Sequence, residues 1–337
     1  MTGSAIRLVH VRCRLCGADD AEPIRVGRDR WHGLPGRFVV VRCRRCGLAY
    51  QDPQPAPESL AACYPADYQA YRHRDGGRRR DERLDRRLKR AVVEAVLRRS
   101  MGYPGRGPAW AALIGPLVRR GRHSDRLIAF RPPGRLLDVG CGSGAFLVRM
   151  RGLGWQVGGV EPDESAARYA RDALGLEVLT GDVSHPDLPE GGFDAVTFWH
   201  TLEHVADPLG ALRRARRLVR PGGIVVIQAP NGGGVCARLF GADWLGLDLP
   251  RHLTHFTDRT MRRAVRAAGL RVVGLRHERL PDGWKWSVRR RWPRARWLQR
   301  RKWLWRAAAD LAALLGAADV VTVTAERPRN ATDKDQA

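Results

Sequence analysis

From Gly134 onward, apolar residues fall in short solid runs separated by longer stretches where they recur every three or four positions. That is the pattern of buried parallel strands alternating with amphipathic helices. Gly134 to Gly144 reads as a strand running straight into a glycine turn, and Ala145 to Met150 as the helix that follows. Gln156 to Val160, Leu176 to Thr180, Phe193 to His200 and Pro221 to Gln228 continue the series as second to fifth strands, with a helix from Pro208 to Val219 before the last. A helix from Asp258 to Ala268 stops at Gly269, Leu270 to Leu275 gives a sixth strand, and Asp319 to Ala325 a seventh. The pattern predicts an α/β fold over residues 132–337.

Two interruptions change this picture. Trp244 to Phe256 has neither period and reads as an irregular loop carrying Asp248, Arg251, His252 and His255. Residues 284–316 form an insertion before the seventh strand, with six of the chain's eleven tryptophans set among arginines. After Pro293, Trp297, Leu304, Ala308, Leu311 and Leu315 recur on one helical stripe, and Gly316 is a plausible stop.

Upstream, residues 1–58 carry Cys13-Arg-Leu-Cys16-Gly17 and Cys43-Arg-Arg-Cys46-Gly47. Two such pairs aim four thiolates at one tetrahedral Zn²⁺, so Cys13, Cys16, Cys43 and Cys46 are expected to form a closed structural site in a zinc ribbon. Cys63, Cys141 and Cys236 lack partners at ligand spacing and are expected to be ordinary buried thiols. Residues 59–131 read as a helical linker region. Leu84, Leu88, Val92, Val93 and Val96 recur at helical spacing within 78–97, and Tyr64, Tyr68 and Tyr71 are candidate substrate contacts or packing residues.

Composition adds one anomaly, a net charge of +25 over 337 residues. Such a balance ordinarily points to a polyanion partner. Yet Lys89, Lys285, Lys302 and Lys334 are the only lysines, and a codon bias toward arginine produces the same skew without a partner. No secretory h-region opens the chain and no apolar run is long enough to span a bilayer, so a cytoplasmic protein is expected. Tryptophan beneath arginine in 284–315 fits an interfacial helix, on the inner face of a membrane or a lipid-linked substrate, as well as a helix packed on the sheet or on a second copy.

The chemistry gathers at successive strand ends. Gly140-Cys-Gly-Ser-Gly-Ala145 also satisfies a dinucleotide fingerprint, but Asp138, two residues before the first glycine, would sit badly beside a pyrophosphate and well beside a cofactor's amino group. Glu161 closes the second strand, where it can accept from both ribose hydroxyls, and Asp182 with the Val183 amide closes the third, where they can read an adenine edge. As a set, Leu137-Asp-Val-Gly-Cys-Gly-Ser-Gly144, Glu161, Asp182, Phe198-Trp-His-Thr-Leu-Glu-His204 and Pro221-Gly-Gly223 resemble the motifs of class I S-adenosylmethionine-dependent methyltransferases. Leu202 to Pro208 and Pro250 to Phe256 resemble the small-molecule branch, similar to ubiquinone-pathway and sugar-pathway methyltransferases.

The resemblance implies a Rossmann-like seven-stranded sheet flanked by helices, with S-adenosylmethionine held by Asp138, Gly140, Cys141, Gly142, Gly144, Glu161, Asp182, Val183 and Trp199. Methyl transfer from a sulfonium is an in-line displacement, and a base is needed only where the acceptor must lose a proton. His204, supported by Glu203, is the first candidate to take or orient that proton, with His200 and His255 beside it. The acceptor is expected to be a small molecule, a sugar, lipid-linked glycan or other secondary metabolite, methylated on oxygen or carbon. An RNA methyltransferase would use the ribbon and the charge, but Phe198-Trp-His-Thr201 stands where base-amino enzymes carry Asn/Asp-Pro-Pro-Tyr/Phe. A non-enzymatic ribbon protein on a decayed domain has no physical need for acids at all three strand ends.

Overall fold

The computed structural model describes residues 6–64, 84–105, 107–121, 126, 128–294 and 296–329. Its strands, in chain order, are β1 (Leu8–Val9), β2 (Ala21–Gly27), β3 (Phe38–Cys43), β4 (Ala49–Gln51), β5 (Gln54–Pro55), β6 (Arg135–Val139), β7 (Gln156–Glu161), β8 (Glu177–Thr180), β9 (Phe193–Trp199), β10 (Val219–Pro230), β11 (Thr254–His255), β12 (Arg271–Glu278) and β13 (Val320–Glu326). Its helices are α1 (Leu84–Ser100), α2 (Trp110–Gly121), α3 (Ala145–Gly152), α4 (Glu164–Asp172), α5 (Pro208–Leu218), α6 (Val235–Phe240), α7 (Asp258–Ala267), α8 (Pro281–Arg291), α9 (Arg296–Gln299) and α10 (Lys302–Leu314). The expected seven strands of the α/β part are all present, in the order β12-β13-β10-β9-β6-β7-β8.

By internal contacts the described residues form two units, one drawn from the described residues of 84–199, 214–226 and 327–329, the other from those of 6–64, 200–213 and 227–326. In the first, β6 pairs in parallel with β7 and β9, and β7 with β8. Every residue of β9 is buried, as befits a central parallel strand covered on both faces. Leu136, Phe146, Leu147, Met150, Trp155, Ala167 and Val178 make its core.

The second unit holds the ribbon. After Cys13 and after Cys43 the chain makes the same knuckle: Gly17 N and Gly47 N each donate back to the cysteine carbonyl at 2.8 Å, and both glycines have φ above +70°. That left-handed turn explains why glycine follows each pair. The sulfurs of Cys13 and Cys46 lie 3.4 Å apart and those of Cys16 and Cys43 3.5 Å apart. Four such thiols, all free, fit a closed tetrahedral zinc site of structural type.

The ribbon sheet runs β11-β4-β3-β2, so its last strand comes from the stretch expected to be an irregular loop. Thr254 and His255 pair with Tyr50 and Ala49, a register no local pattern announces. The insertion also differs from the single stripe expected of it. Trp305, Ala309 and Ala312 are the buried positions of α10 and pack with Trp284, Val288 and Phe240. Trp297, Trp303, Leu311, Leu314 and Leu315 are exposed, and Gly316, at φ +64°, ends the helix as expected.

One ion pair fastens the ribbon to the stretch after α6. Arg251 is 0% exposed, and its guanidinium donates in a fork to Asp29, Nη1 to Oδ2 at 3.0 Å and Nη2 to Oδ1 at 2.8 Å. Nη2 and Nε also donate to Asp248, and Nη1 to the Cys63 carbonyl at 3.2 Å. Burial opposes the ionised form of Asp29, but the Arg251 bonds and the amides of Trp31 and His32 outweigh it and hold the carboxyl at about 2. Arg251→Met strands two buried carboxylates, so it is expected to cost about 3–5 kcal/mol in urea unfolding; a midpoint within experimental error of the parent would contradict the clamp.

Candidate functional site

The first unit carries the acidic strand ends. Gly140, Gly142 and Gly144 all have positive φ, and a Cβ on Gly144 would lie 2.5 Å from Leu176. The turn is therefore open to glycine alone at that point. Glu161, 4% exposed, locks it: Oε2 accepts from Gly142 N at 2.7 Å and Oε1 from Asp163 N at 3.0 Å. Each carboxylate oxygen keeps a further lone pair, which is what ribose hydroxyls would use. Gly181 N donates to the Glu161 carbonyl at 3.0 Å, setting the end of β8 against that of β7. Asp182 accepts from Ser184 N at 2.7 Å through Oδ1, and Val183 is buried.

Asp138, 2% exposed, accepts from the Thr197 hydroxyl at 2.6 Å. Burial pushes its carboxyl up to about 7, Glu161 adds to this, and the Thr197 bond and Arg126 only partly offset it. Cys141 is buried in the turn, and Trp199 meets Phe146 edge-on with ring centroids 5.3 Å apart. Glu161 is thus bonded to the turn and Asp138 to Thr197, both by bonds within this unit. A buried carboxylate this reluctant to ionise suits a cationic ligand, whose charge repays the ionisation.

The second unit gathers the histidines. His200 follows β9 at φ +56°, a backbone strain of the kind that accompanies functional positions. Its Nδ1 lies 3.4 Å from Glu203 Oε1. Glu203 is 1% exposed and neither of its oxygens has a hydrogen-bond partner among the described residues. Burial opposes its ionisation, but His200 first, then His204 and His252, outweigh that and hold the carboxyl at about 2.

His204 Nδ1 is 3.1 Å from the Arg251 carbonyl and 3.0 Å from the Tyr64 hydroxyl. Burial, with the neighbouring His252, drives its pKa down to about 4. His252 stacks edge-on against it at 4.6 Å and its own Nδ1 meets the Gly246 carbonyl at 2.9 Å. His255 is buried beyond it, with pKa lowered to about 3 by the same desolvation. At neutral pH His204 and His255 are therefore neutral rings. Sequence reasoning singled out His200, Glu203, His204 and His255, with His252 among the candidate histidines of the loop, but gave no role to Arg251. Of the three candidate tyrosines, Tyr64 reaches His204, while Tyr68 and Tyr71 lie outside the described residues.

A family model described as a methyltransferase domain matches residues 116–275. The ubiquinone biosynthesis O-methyltransferase of Cereibacter sphaeroides is 33% identical over 167 residues, which cover 46% of this chain and 67% of that protein. The chain belongs to the class I S-adenosylmethionine-dependent methyltransferases. The corresponding enzyme of Xanthomonas axonopodis pv. citri is 35% identical over 152 residues, 43% of the methyltransferase described here and 63% of its relative. The chain thus spans about two thirds of the length of these relatives. A solved S-adenosylmethionine-dependent methyltransferase from Mesorhizobium loti overlays with a TM-score of 0.42 at 20% identity, covering 64% of this chain and 97% of that one.

A carboxyl raised as that of Asp138 is would make the binding of a cationic cofactor beside it pH-dependent. Below about 7 the group is protonated, and a sulfonium or ammonium ligand must displace that proton. Affinity of the methyltransferase for S-adenosylmethionine is therefore expected to climb from pH 6 to pH 8, with at most about tenfold per pH unit below the pKa. Calorimetry at pH 6 in buffers of unequal ionisation heat should register a released proton, and Asp138→Asn should abolish it.

Proposed function

We propose that this methyltransferase moves the S-adenosylmethionine methyl group onto a hydroxyl oxygen of a small molecule, a sugar, lipid-linked glycan or other secondary metabolite. The cofactor supplies the electrophile. Asp138, the turn Gly140-Cys141-Gly142 with Gly144, Glu161, Asp182, Val183 and Trp199 hold it. The observation that carries the choice of a hydroxyl is the buried Glu203 among His200, His204 and His252, in residues that follow β9 directly along the chain. Transfer to an amine or thiolate needs no such group, whereas a hydroxyl must shed a proton as the bond forms. The relatives' names, O-methyltransferases of ubiquinone biosynthesis, support the same choice.

In this reading His204 acts on the acceptor hydroxyl. Its Nδ1 is committed to Arg251 and Tyr64, so Nε2 is the atom it offers. Glu203 stands behind it, and His200 and His255 complete the acceptor side. The four cysteines hold structural zinc, which keeps the ribbon folded around Asp29. His204→Ala is expected to lower turnover about 100-fold or more while leaving S-adenosylmethionine affinity within twofold, a split between chemistry and cofactor binding. Equal turnover in the variant would remove His204 from the reaction.

A second observation favours a surface role for the insertion. Trp297 and Trp303 are 66% and 65% exposed, and Leu311, Leu314 and Leu315 stand out beside Arg300, Arg301, Lys302 and Arg306. Soluble faces rarely show aromatic and leucine side chains together in this way. Cations around such a face would repel a second copy of it and attract anionic lipid, so we propose that α10 rests on an anionic bilayer. The protein should float with phosphatidylglycerol vesicles and not with phosphatidylcholine vesicles, and Trp303→Ser with Leu314→Ser should abolish flotation. Recovery of all protein in the pellet fraction with both lipids would reject the surface role.

A further inference from the structure

The ribbon carries a cavity of about 270 Å³ lined by Val26, Gly27, Arg28, Arg30, Arg37 and Ala242, all residues of the second unit. Three guanidinium groups share it, and its lining holds no acid. Register explains how they meet. The ladder between β2 and β3 runs as far as Gly27 opposite Phe38, so Arg28 and Arg37 are the next residues on either side and face each other where the pairing ends. Like charges set opposite each other in this way are destabilising.

The nearby acids do not relieve the repulsion. Asp29, between Arg28 and Arg30, is buried and bound in a fork to Arg251. Asp243, the residue after Ala242, is shared by Arg30 at 3.0 Å and Arg291 at 3.7 Å. Arg28 and Arg37 have no ion-pair partner among the described residues. Arg7, Arg12 and Arg44 on the same ribbon each have an acid, in Glu58, Asp19 and Asp20. A codon bias toward arginine supplies such residues but gives no reason for three of them to converge on one cavity.

We propose that this cavity binds a phosphoryl or diphosphoryl anion through Arg28, Arg30 and Arg37. A carboxylate would leave two of the three cations unbalanced, whereas a phosphoryl group brings about two negative charges and three acceptor oxygens. Guanidinium forks match pairs of such oxygens and stay charged at any working pH. The volume, equal to that of roughly nine waters, gives room for a diphosphate group. The ligand would rest on the segment whose Asp29 holds Arg251, and through it the carbonyl facing His204. The site itself does not depend on His204 acting on an acceptor hydroxyl.

Calorimetry of the full chain with inorganic diphosphate tests the proposal. One saturable site per chain is expected, and saturating S-adenosylmethionine should not displace the anion. Arg28→Gln with Arg37→Gln should weaken binding roughly tenfold or more. Arg263→Gln with Arg266→Gln removes the same charge from α7 and should leave binding within about twofold. All four arginines are exposed, so both paired variants should keep the circular dichroism of the parent. Equal weakening in the two pairs, or no saturable heat in the parent, overturns the site. Given saturable binding, vesicles of phosphatidic acid in phosphatidylcholine identify the source of the phosphoryl group. Weaker flotation of the Arg28 and Arg37 variant than of the parent assigns it to a lipid headgroup, and equal flotation assigns it to a soluble phosphorylated compound.

Discussion

The second unit depends on a guanidinium held inside protein. Arg251 is fully buried, and a cation there is tolerable only because Asp29 and Asp248 neutralise it and every donor it has finds an acceptor. The two acids come from distant parts of the chain, one from the ribbon and one from the stretch after α6. The pair therefore fixes the fold of residues 248–255 on the ribbon, with β11 zipped onto β4 as the second fastening. What the clamp positions is useful chemistry: the carbonyl of Arg251 itself holds His204 Nδ1, and Tyr64, just beyond Cys63, holds it from another side.

The ribbon acquires a reason from this. A closed four-cysteine site does no chemistry of its own, but it stabilises a small β-sheet that otherwise has little core. That sheet carries Asp29 at one end and receives His255 at its edge. The four-cysteine end of the ribbon is thereby linked to the histidine cluster through an ion pair and a strand.

The two units use opposite electrostatic strategies. Around the glycine turn, carboxylates are buried with few cations to balance them, and Asp138 is reluctant to ionise as a result. Such a place favours a ligand that brings positive charge, as a sulfonium donor does. Around Glu203 the neighbours are imidazoles, kept neutral at His204 and His255 by burial. A site of that kind receives protons or polarises a hydroxyl. Each environment is made within its own unit by residues that follow strand ends.

Sequence alone determined the strands, the glycine turn, the acids and the two cysteine knuckles, because each is written in local periodicity, in residues demanding left-handed backbone, or in fixed ligand spacing. The expected strands differ from the observed ones by a few residues at their ends. Only the tertiary structure decided that the loop around His252 contributes a strand to the ribbon, that Arg251 is a buried clamp rather than one more surface arginine, and that α10 buries Trp305 while exposing Trp303. The reason is physical. A pairing register, an ion pair 222 residues apart in the chain and the choice between two apolar helix faces are settled by what lies opposite, and no local pattern carries that information.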